Sequence, residues 1–333
     1  MWKYLILLQL LSANAYINNY DPLSEQYINN INEKQYTWKA GKNFDKSEWS
    51  RLRKIASGTW RASTDFSRSF YQPGKAINTE VIPEHFDARL AWPNCKSIKQ
   101  ISDQSHCGSC WASSAAATMS DRICIKSNQN LQVFVSAEDL TACCWQCGNG
   151  CLGGEIPRAW VYWQKFGIVT GGLYNSSQGC KDYTLPPCEH HVNMLSRPHC
   201  ENLTLDTPKC VRKCQDASLK YEHSLTFGQD VYQFLKEEEI QMEIMENGPV
   251  EGAIDIFDDF FSYKNGVYIR TSDHLIGGHA VKILGWGVEN GVPYWLCANT
   301  WNTDWGDGGY FKILRGSNHC GVESQIFASL PKF

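Results

Sequence analysis

Apolar and polar positions alternate in several distinct ways along this chain. Residues 4–11 form an apolar run broken only by Gln9. Lys3 precedes the run, and Ala13-Asn14-Ala15 follows it as a small-x-small site, the pattern of a signal peptide cleaved after Ala15. Residues 111–119 are apolar or small with no Pro or Gly, which predicts a helix capped by Ser109 or the residue before it. Between Cys143 and Cys214 the chain is rich in Cys, Gly and Pro, with little periodicity, and reads as loops. Residues 236–246 predict a second helix, stopped by Gly248-Pro249. After Val250 the pattern turns to strands at 280–284, 294–298 and 309–314, punctuated by Gly and Asn. The expected class is α+β: a helical first part, a strand-rich second part, and a cleft between two subdomains as the natural place for a site.

With 333 residues, 43% of them apolar, and 13 Trp, the chain can bury a large core as one domain or two. The net charge of -4 and the lack of a basic block argue against nucleic acid as a partner. The leading apolar run is far shorter than the roughly 20 residues that span a bilayer. Fifteen cysteines behind a signal peptide point to disulfides. Zinc would need a second ligand pair to match Cys144-x-x-Cys147, and none follows. The odd count leaves at least one thiol free. Asn175-Ser176-Ser177 and Asn202-Leu203-Thr204 are glycosylation sequons. Residues 16–81 hold no cysteine and carry 10 Lys/Arg against 7 Asp/Glu, a charge of +3, whereas residues 82–333 carry 20 against 28, a charge of -8. This fits a pro-segment attracted to an acidic body and released as acid groups protonate at low pH. It fits a basic linker equally well. The turn Gln72-Pro73-Gly74 and then Pro83 mark the boundary.

Candidate chemistry lies in three separated stretches. In Gln104-Ser105-His106-Cys107-Gly108-Ser109-Cys110-Trp111, two cysteines stand three apart just before the predicted helix. A cysteine at a helix N-terminus gains thiolate character from the unpaired N–H groups and the dipole. Both could instead be bridged. Gly277-Gly278-His279-Ala280-Val281 puts a histidine at the head of an apolar strand, and Ala298-Asn299-Thr300-Trp301 ends another. A nucleophilic thiol needs a base, and the base needs a group that fixes its ring. Asn299 can accept from one imidazole nitrogen while the other faces sulfur, with Trp301 as a shield. The conjunction is specific where each piece alone is not.

Gln104 with Cys-Gly-Ser-Cys-Trp, Gly-His-Ala at 278–280 and Asn-x-Trp at 299–301 resemble the active-site signatures of the papain family of cysteine peptidases. Three further stretches resemble its cathepsin B branch: 37–44 (Thr-Trp-Lys-Ala-Gly-Lys-Asn-Phe), 82–89 (Ile-Pro-Glu-His-Phe-Asp-Ala-Arg), and Cys188-Glu189-His190-His191-Val192-Asn193 with Ser196-Arg197-Pro198, like that branch's occluding loop. The resemblance implies a papain-like fold with a helical left domain and a barrel-like right domain. It divides the chain into a signal peptide (1–15), an inhibitory propeptide (16–81) and a mature peptidase (82–333) with its occluding loop at 188–200.

Carried over by the resemblance, Cys110 is the nucleophile, His279 the general base and acid, and Asn299 its orienter. The Gln104 amide and the Cys110 N–H form the oxyanion hole. Gly153 and Gly154 pair with the substrate backbone, and Trp301 borders the leaving group. His190 and His191 face a substrate's C-terminal carboxylate; Asp103 pairs with His190 and is thereby held below its usual range, and Arg197 pairs with Asp304. The implied disulfides are Cys95–Cys124, Cys107–Cys151, Cys143–Cys210, Cys144–Cys147, Cys180–Cys214 and Cys188–Cys200, which leaves Cys110, Cys297 and Cys320. Implied partners are peptide and protein substrates, the chain's own propeptide and cystatin-type inhibitors; no metal or cofactor is implied, and the expected state is a monomer, lysosomal or secreted. The chain departs from the family at Leu152, at Thr300, at Cys297 and in the lengths of two loops. Gln325 stands where an acidic residue is familiar, in the pocket for the second residue before the cut, and predicts weak acceptance of Arg there. Alternatives are an endopeptidase without dipeptide trimming, a catalytically silent homologue, and a disulfide-rich structural module. The last leaves Gln104, His279 and Asn299 unexplained.

Overall fold

The computed structural model describes residues 21–62, 69–70, 81–188, 197 and 206–333. The expected signal peptide lies outside them. The left half is built on the helix Cys110–Lys126, which is buried on nearly every side. Such burial suits its run of Ala and Ser, because a helix enclosed all round has no polar face to keep. The sequence pattern stops at Met119 because Asp121 and Arg122 follow. The helix continues because both charges are paired inside: Asp121 Oδ2 with Lys282 Nζ at 2.8 Å, and Arg122 Nη1 with Glu243 Oε1 at 2.7 Å. These ion pairs join the helix to the other half of the molecule.

The region read as loops contains a helix, Ile156–Phe166. It starts with Pro157 in its first turn and ends at Gly167, whose φ is 74°. Both punctuation signals were in the sequence. Its Trp160 and Trp163, three residues apart on one face, pack on the central helix. The helix expected at 236–246 is Glu237–Asn247.

Among the described residues ten strands make up the sheet: β1 Trp38–Ala40, β2 Phe86–Asp87, β3 Ile168–Val169, β4 Leu225–Phe234, β5 Val250–Phe257, β6 Tyr263–Tyr268, β7 Leu275–Glu289, β8 Val292–Ala298, β9 Tyr310–Leu314 and β10 Ile326–Lys332. Their order is β1-β6-β9-β8-β7-β5-β10-β4-β3, with β2 paired to β7. The strand expected at 280–284 is the buried middle of the long β7, which bends at a bulge between Ile283 and Gly285.

The pro-segment adds its own strand and helices to the right half. β1 extends the sheet antiparallel to β6. Trp38 and Phe44 enter the aromatic core with Phe260, Phe261, Tyr263 and Trp301. The Asn43 amide donates to the Phe261 and Tyr263 carbonyls at 2.9 and 2.8 Å. Apolar contact therefore adds to the docking that the net charges suggested.

Candidate active site

Cys110 is the first residue of the central helix, and Ser109 is its N-cap. The Ser109 hydroxyl makes no capping bond; it pairs with the Tyr183 hydroxyl at 2.7 Å. The backbone N–H groups of Ala280 and Trp111 favour the sulfur's anionic form, but burial outweighs them and pushes the thiol up to about 11. Thr59 of the pro-segment lies on the sulfur, Oγ1 to Sγ 3.2 Å.

His279 sits near the head of β7, opposite Ile254 of β5. β8 ends with Ala298 opposite Lys282, so Asn299 leaves the sheet beside the histidine. His279 Nε2 and Asn299 Oδ1 are 2.8 Å apart. That contact fixes Nε2–H as the donor and leaves Nδ1 with its lone pair. Nδ1 is buried without a full hydrogen bond. The Trp301 ring packs against the imidazole, centroids 4.8 Å apart. Burial lowers the His279 pKa to about 4, against the opposing effects of Asn299 and the Ile55 carbonyl. In this closed form both partners are therefore neutral.

Gln104 is fully buried. Its Oε1 accepts from Thr300 Oγ1 at 2.5 Å, and its Nε2 donates to the Cys107 carbonyl at 2.7 Å and to that of Ile55 at 3.3 Å. Ile55 closes the pro-segment helix Trp49–Ile55, so a helix-end carbonyl meets both Gln104 and His279. Thr300, a departure from the family pattern, thus holds the amide in place.

Beyond Ile55 the pro-segment threads the cleft. Gly154 N–H donates to the Gly58 carbonyl at 3.1 Å, and Trp60 N–H to the Gly154 carbonyl at 2.8 Å. Thr59 N–H donates to the Gly278 carbonyl at 3.0 Å. Gly58 has no room for a side chain: a Cβ would lie 2.5 Å from the Gly108 oxygen and 2.8 Å from Cys110 Sγ. Gly153 adjoins this pairing, under the Trp60 indole. Gln325 is buried at the far end, with Nε2 reaching the Ala62 carbonyl at 3.4 Å.

Arg197 donates to Asp304. Asp103 accepts from Ser105 N–H at 2.6 Å and from the Asn302 amide at 3.1 Å. Its expected depression is corrected here: burial raises it to about 6, against those bonds and the charges of Arg197 and Arg51. His190, His191, Cys200 and Asn202 lie outside the described residues. Disulfides join Cys95–Cys124, Cys107–Cys151, Cys143–Cys210, Cys144–Cys147 and Cys180–Cys214. Cys188 is also bridged. Cys110, Cys297 and Cys320 are free, and Asn175 is exposed. No local sign in the sequence marks Ile55 or Thr59, because each acts through a contact with a residue far along the chain.

Residues 82–330 match the model of the papain family of cysteine proteases, and residues 23–56 match that of the peptidase family C1 propeptide. Among curated proteins, the chain is 50% identical over 260 residues to cathepsin B-like cysteine proteinase 5 of Caenorhabditis elegans, covering 76% of each chain. It is 51% identical over 254 residues to proteinase 6 of the same organism, covering 75% of this chain and 67% of that one. Among solved structures it is similar to a procathepsin B from Trypanosoma congolense, with a TM-score of 0.78, 35% identity, and coverage of 94% of this chain and 99% of that one. The chain belongs to the papain family of cysteine proteases, on its cathepsin B-like side, and carries that family's propeptide.

Proposed function

We propose that residues 82–333 hydrolyse peptide bonds through a Cys110 thioester, after removal of a signal peptide (1–15) and a propeptide (16–81). His279 takes the thiol proton, and the thiolate attacks the scissile carbonyl. The Gln104 amide and the Cys110 N–H stabilise the tetrahedral oxyanion. On collapse the imidazolium gives its proton to the leaving amine, and the acyl group stays on sulfur. His279 then deprotonates a water that attacks the thioester, and the acid product leaves with the thiol restored. Asn299 holds the ring so that one nitrogen faces sulfur throughout. Trp301 keeps water from that hydrogen bond and borders the leaving group. Gly153 and Gly154 receive the substrate backbone, and Gln325 the side chain two residues before the cut.

The observation that carries this reading is the pro-segment in the cleft. Its backbone pairs with Gly154 and Gly278 while Thr59 lies on the Cys110 sulfur, so an extended peptide fits over the thiol. The same segment would keep the proenzyme silent until it is removed.

The finer activity is peptidyl-dipeptidase action at acid pH. His190 and His191, in a loop that the expected Cys188–Cys200 bridge would pin beside the Arg197–Asp304 pair, would bind a substrate's C-terminal carboxylate when protonated. Glycosylation at Asn175 and Asn202, inhibition by cystatin-type proteins, a monomeric state, and a lysosomal or secreted location complete the reading. The test compares a peptide ending in a free carboxylate with its amide at pH 5, in the parent enzyme and in His191→Ala. The parent should prefer the acid and the variant should not. A parent that treats both alike has no carboxylate-docking loop.

A further inference from the structure

Arg61 follows the pro-segment residues that pair with the cleft, and its side chain turns onto the right-hand wall. Its Nε and Nη2 donate to Asp255 Oδ1 at 3.2 and 2.8 Å, and its Nη1 donates to Ser324 Oγ at 3.0 Å. The Ser324 hydroxyl itself donates to the Gly321 carbonyl at 2.6 Å, which fixes its proton away and turns its lone pairs toward the guanidinium. Gly321 has a φ of 72°, and a Cβ there would lie 2.3 Å from Arg61 Nη2. The planar group therefore rests on bare backbone.

The position of this wall ties it to the reaction. Asp255 lies on β5 opposite Gly278, one pair along from Ile254 and His279. Ser324 is the immediate neighbour of Gln325, whose buried Oε1 accepts no hydrogen bond. Among the described residues Asp255 has no side-chain partner other than Arg61. When the pro-segment leaves, the carboxylate is left facing the cleft.

We propose that Asp255 and Ser324 form a cation-accepting subsite in the mature enzyme, which takes an arginine side chain, and less well a lysine, at the second substrate residue before the cut. This rests on the peptidase reading above and revises the expectation drawn from Gln325 alone. The negative charge expected at the Gln325 position is supplied from the neighbouring strand. Arg is favoured over Lys because a planar fork can meet the carboxylate and the hydroxyl together, whereas an ammonium is a point charge. Asp255 is 33% exposed, so the effect is moderated by water.

The experiment uses mature enzyme and three peptides that differ only at that residue: Arg, its neutral isostere citrulline, and Phe. The parent should cleave the Arg peptide about fivefold better than the citrulline peptide, the scale of a half-exposed charge-assisted pair. Asp255→Asn should bring that ratio close to one, and Ser324→Ala should lower it in part. Equal cleavage of Arg and citrulline peptides by the parent overturns the proposal, as does an unchanged ratio in Asp255→Asn. If Asp255→Asn yields no active enzyme, the parent's ratio alone decides. The Phe peptide separates this from the peptidase reading: an enzyme that cleaves none of the three fails as a peptidase, not as an arginine reader.

Discussion

Acid should loosen the pro-segment through His279. In the closed form burial holds this imidazole at about 4, against an ordinary value of 6.5. Once the pro-segment leaves, the ring meets water and regains its affinity for a proton. The docked state therefore binds fewer protons than the released state. Docking is strongest above 6.5, weakens as pH falls through 6.5 toward 4, and falls no further below that. A difference of about two and a half pKa units corresponds to about 3 kcal/mol, or about a hundredfold in affinity between pH 7 and pH 4. Asp103 and Asp258, both raised by burial, act in the opposite sense to the extent that the pro-segment causes their burial. Comparing two proteins isolates the histidine. The dissociation constant of a peptide spanning residues 21–62 would be measured by calorimetry on mature Cys110→Ala, with and without His279→Gln, from pH 7 to pH 4. The protein with His279 should lose about two orders of magnitude more affinity than the His279→Gln protein. Parallel pH curves for the two would refute the reasoning and return acid release to the net charges of +3 and -8 on the two parts.

Gly58→Ala should give a leaky proenzyme, because its Cβ would press on Cys110 Sγ and the Gly108 oxygen; basal cleavage of a small peptide at neutral pH, no higher than in the parent proenzyme, would contradict this. Gln104→Ala should lower kcat by roughly 100- to 1,000-fold in titrated mature enzyme, the usual cost of one oxyanion donor, and a loss below tenfold would remove Gln104 from that role. Gln325→Glu should raise the rate with Arg relative to Phe at the second position before the cut, by placing a second carboxylate beside Asp255; an unchanged ratio would put Gln325 outside the pocket.

The pieces of the site that were legible in the sequence are those whose chemistry is local. Cys110 before a helix, His279 at the head of a strand and Asn299 at the end of another each sit at an element boundary that pattern and punctuation reveal. The helix Ile156–Phe166 was missed although Pro157 and Gly167 marked both ends, because the density of Cys and Gly around it suggested loops. The central helix reads short because its charged residues are buried in pairs, and pairing across more than a hundred residues leaves no trace in a periodicity. Asp255 is one of two acidic positions in a mostly buried strand, and Arg61 is one charge in a basic segment. Only the path of the chain through the cleft brings them together. The direction of the Asp103 shift was missed for a related reason: partners can be guessed from motifs, but the depth of burial cannot.

The position of Thr59 over Cys110 bears on how this chain acquires its covalent bonds. The disulfides fall between Cys95 and Cys214, in the stretch that also holds the nucleophile, and Cys107 is bridged only three residues before it. Oxidation must link these cysteines and spare Cys110. Thiol–disulfide exchange proceeds through the thiolate, and a thiol held at about 11 with no exposed surface offers almost none. In the folded chain the pro-segment thus stands as a protecting group in the synthetic chemist's sense: it covers the one thiol that must stay reduced among bridged neighbours.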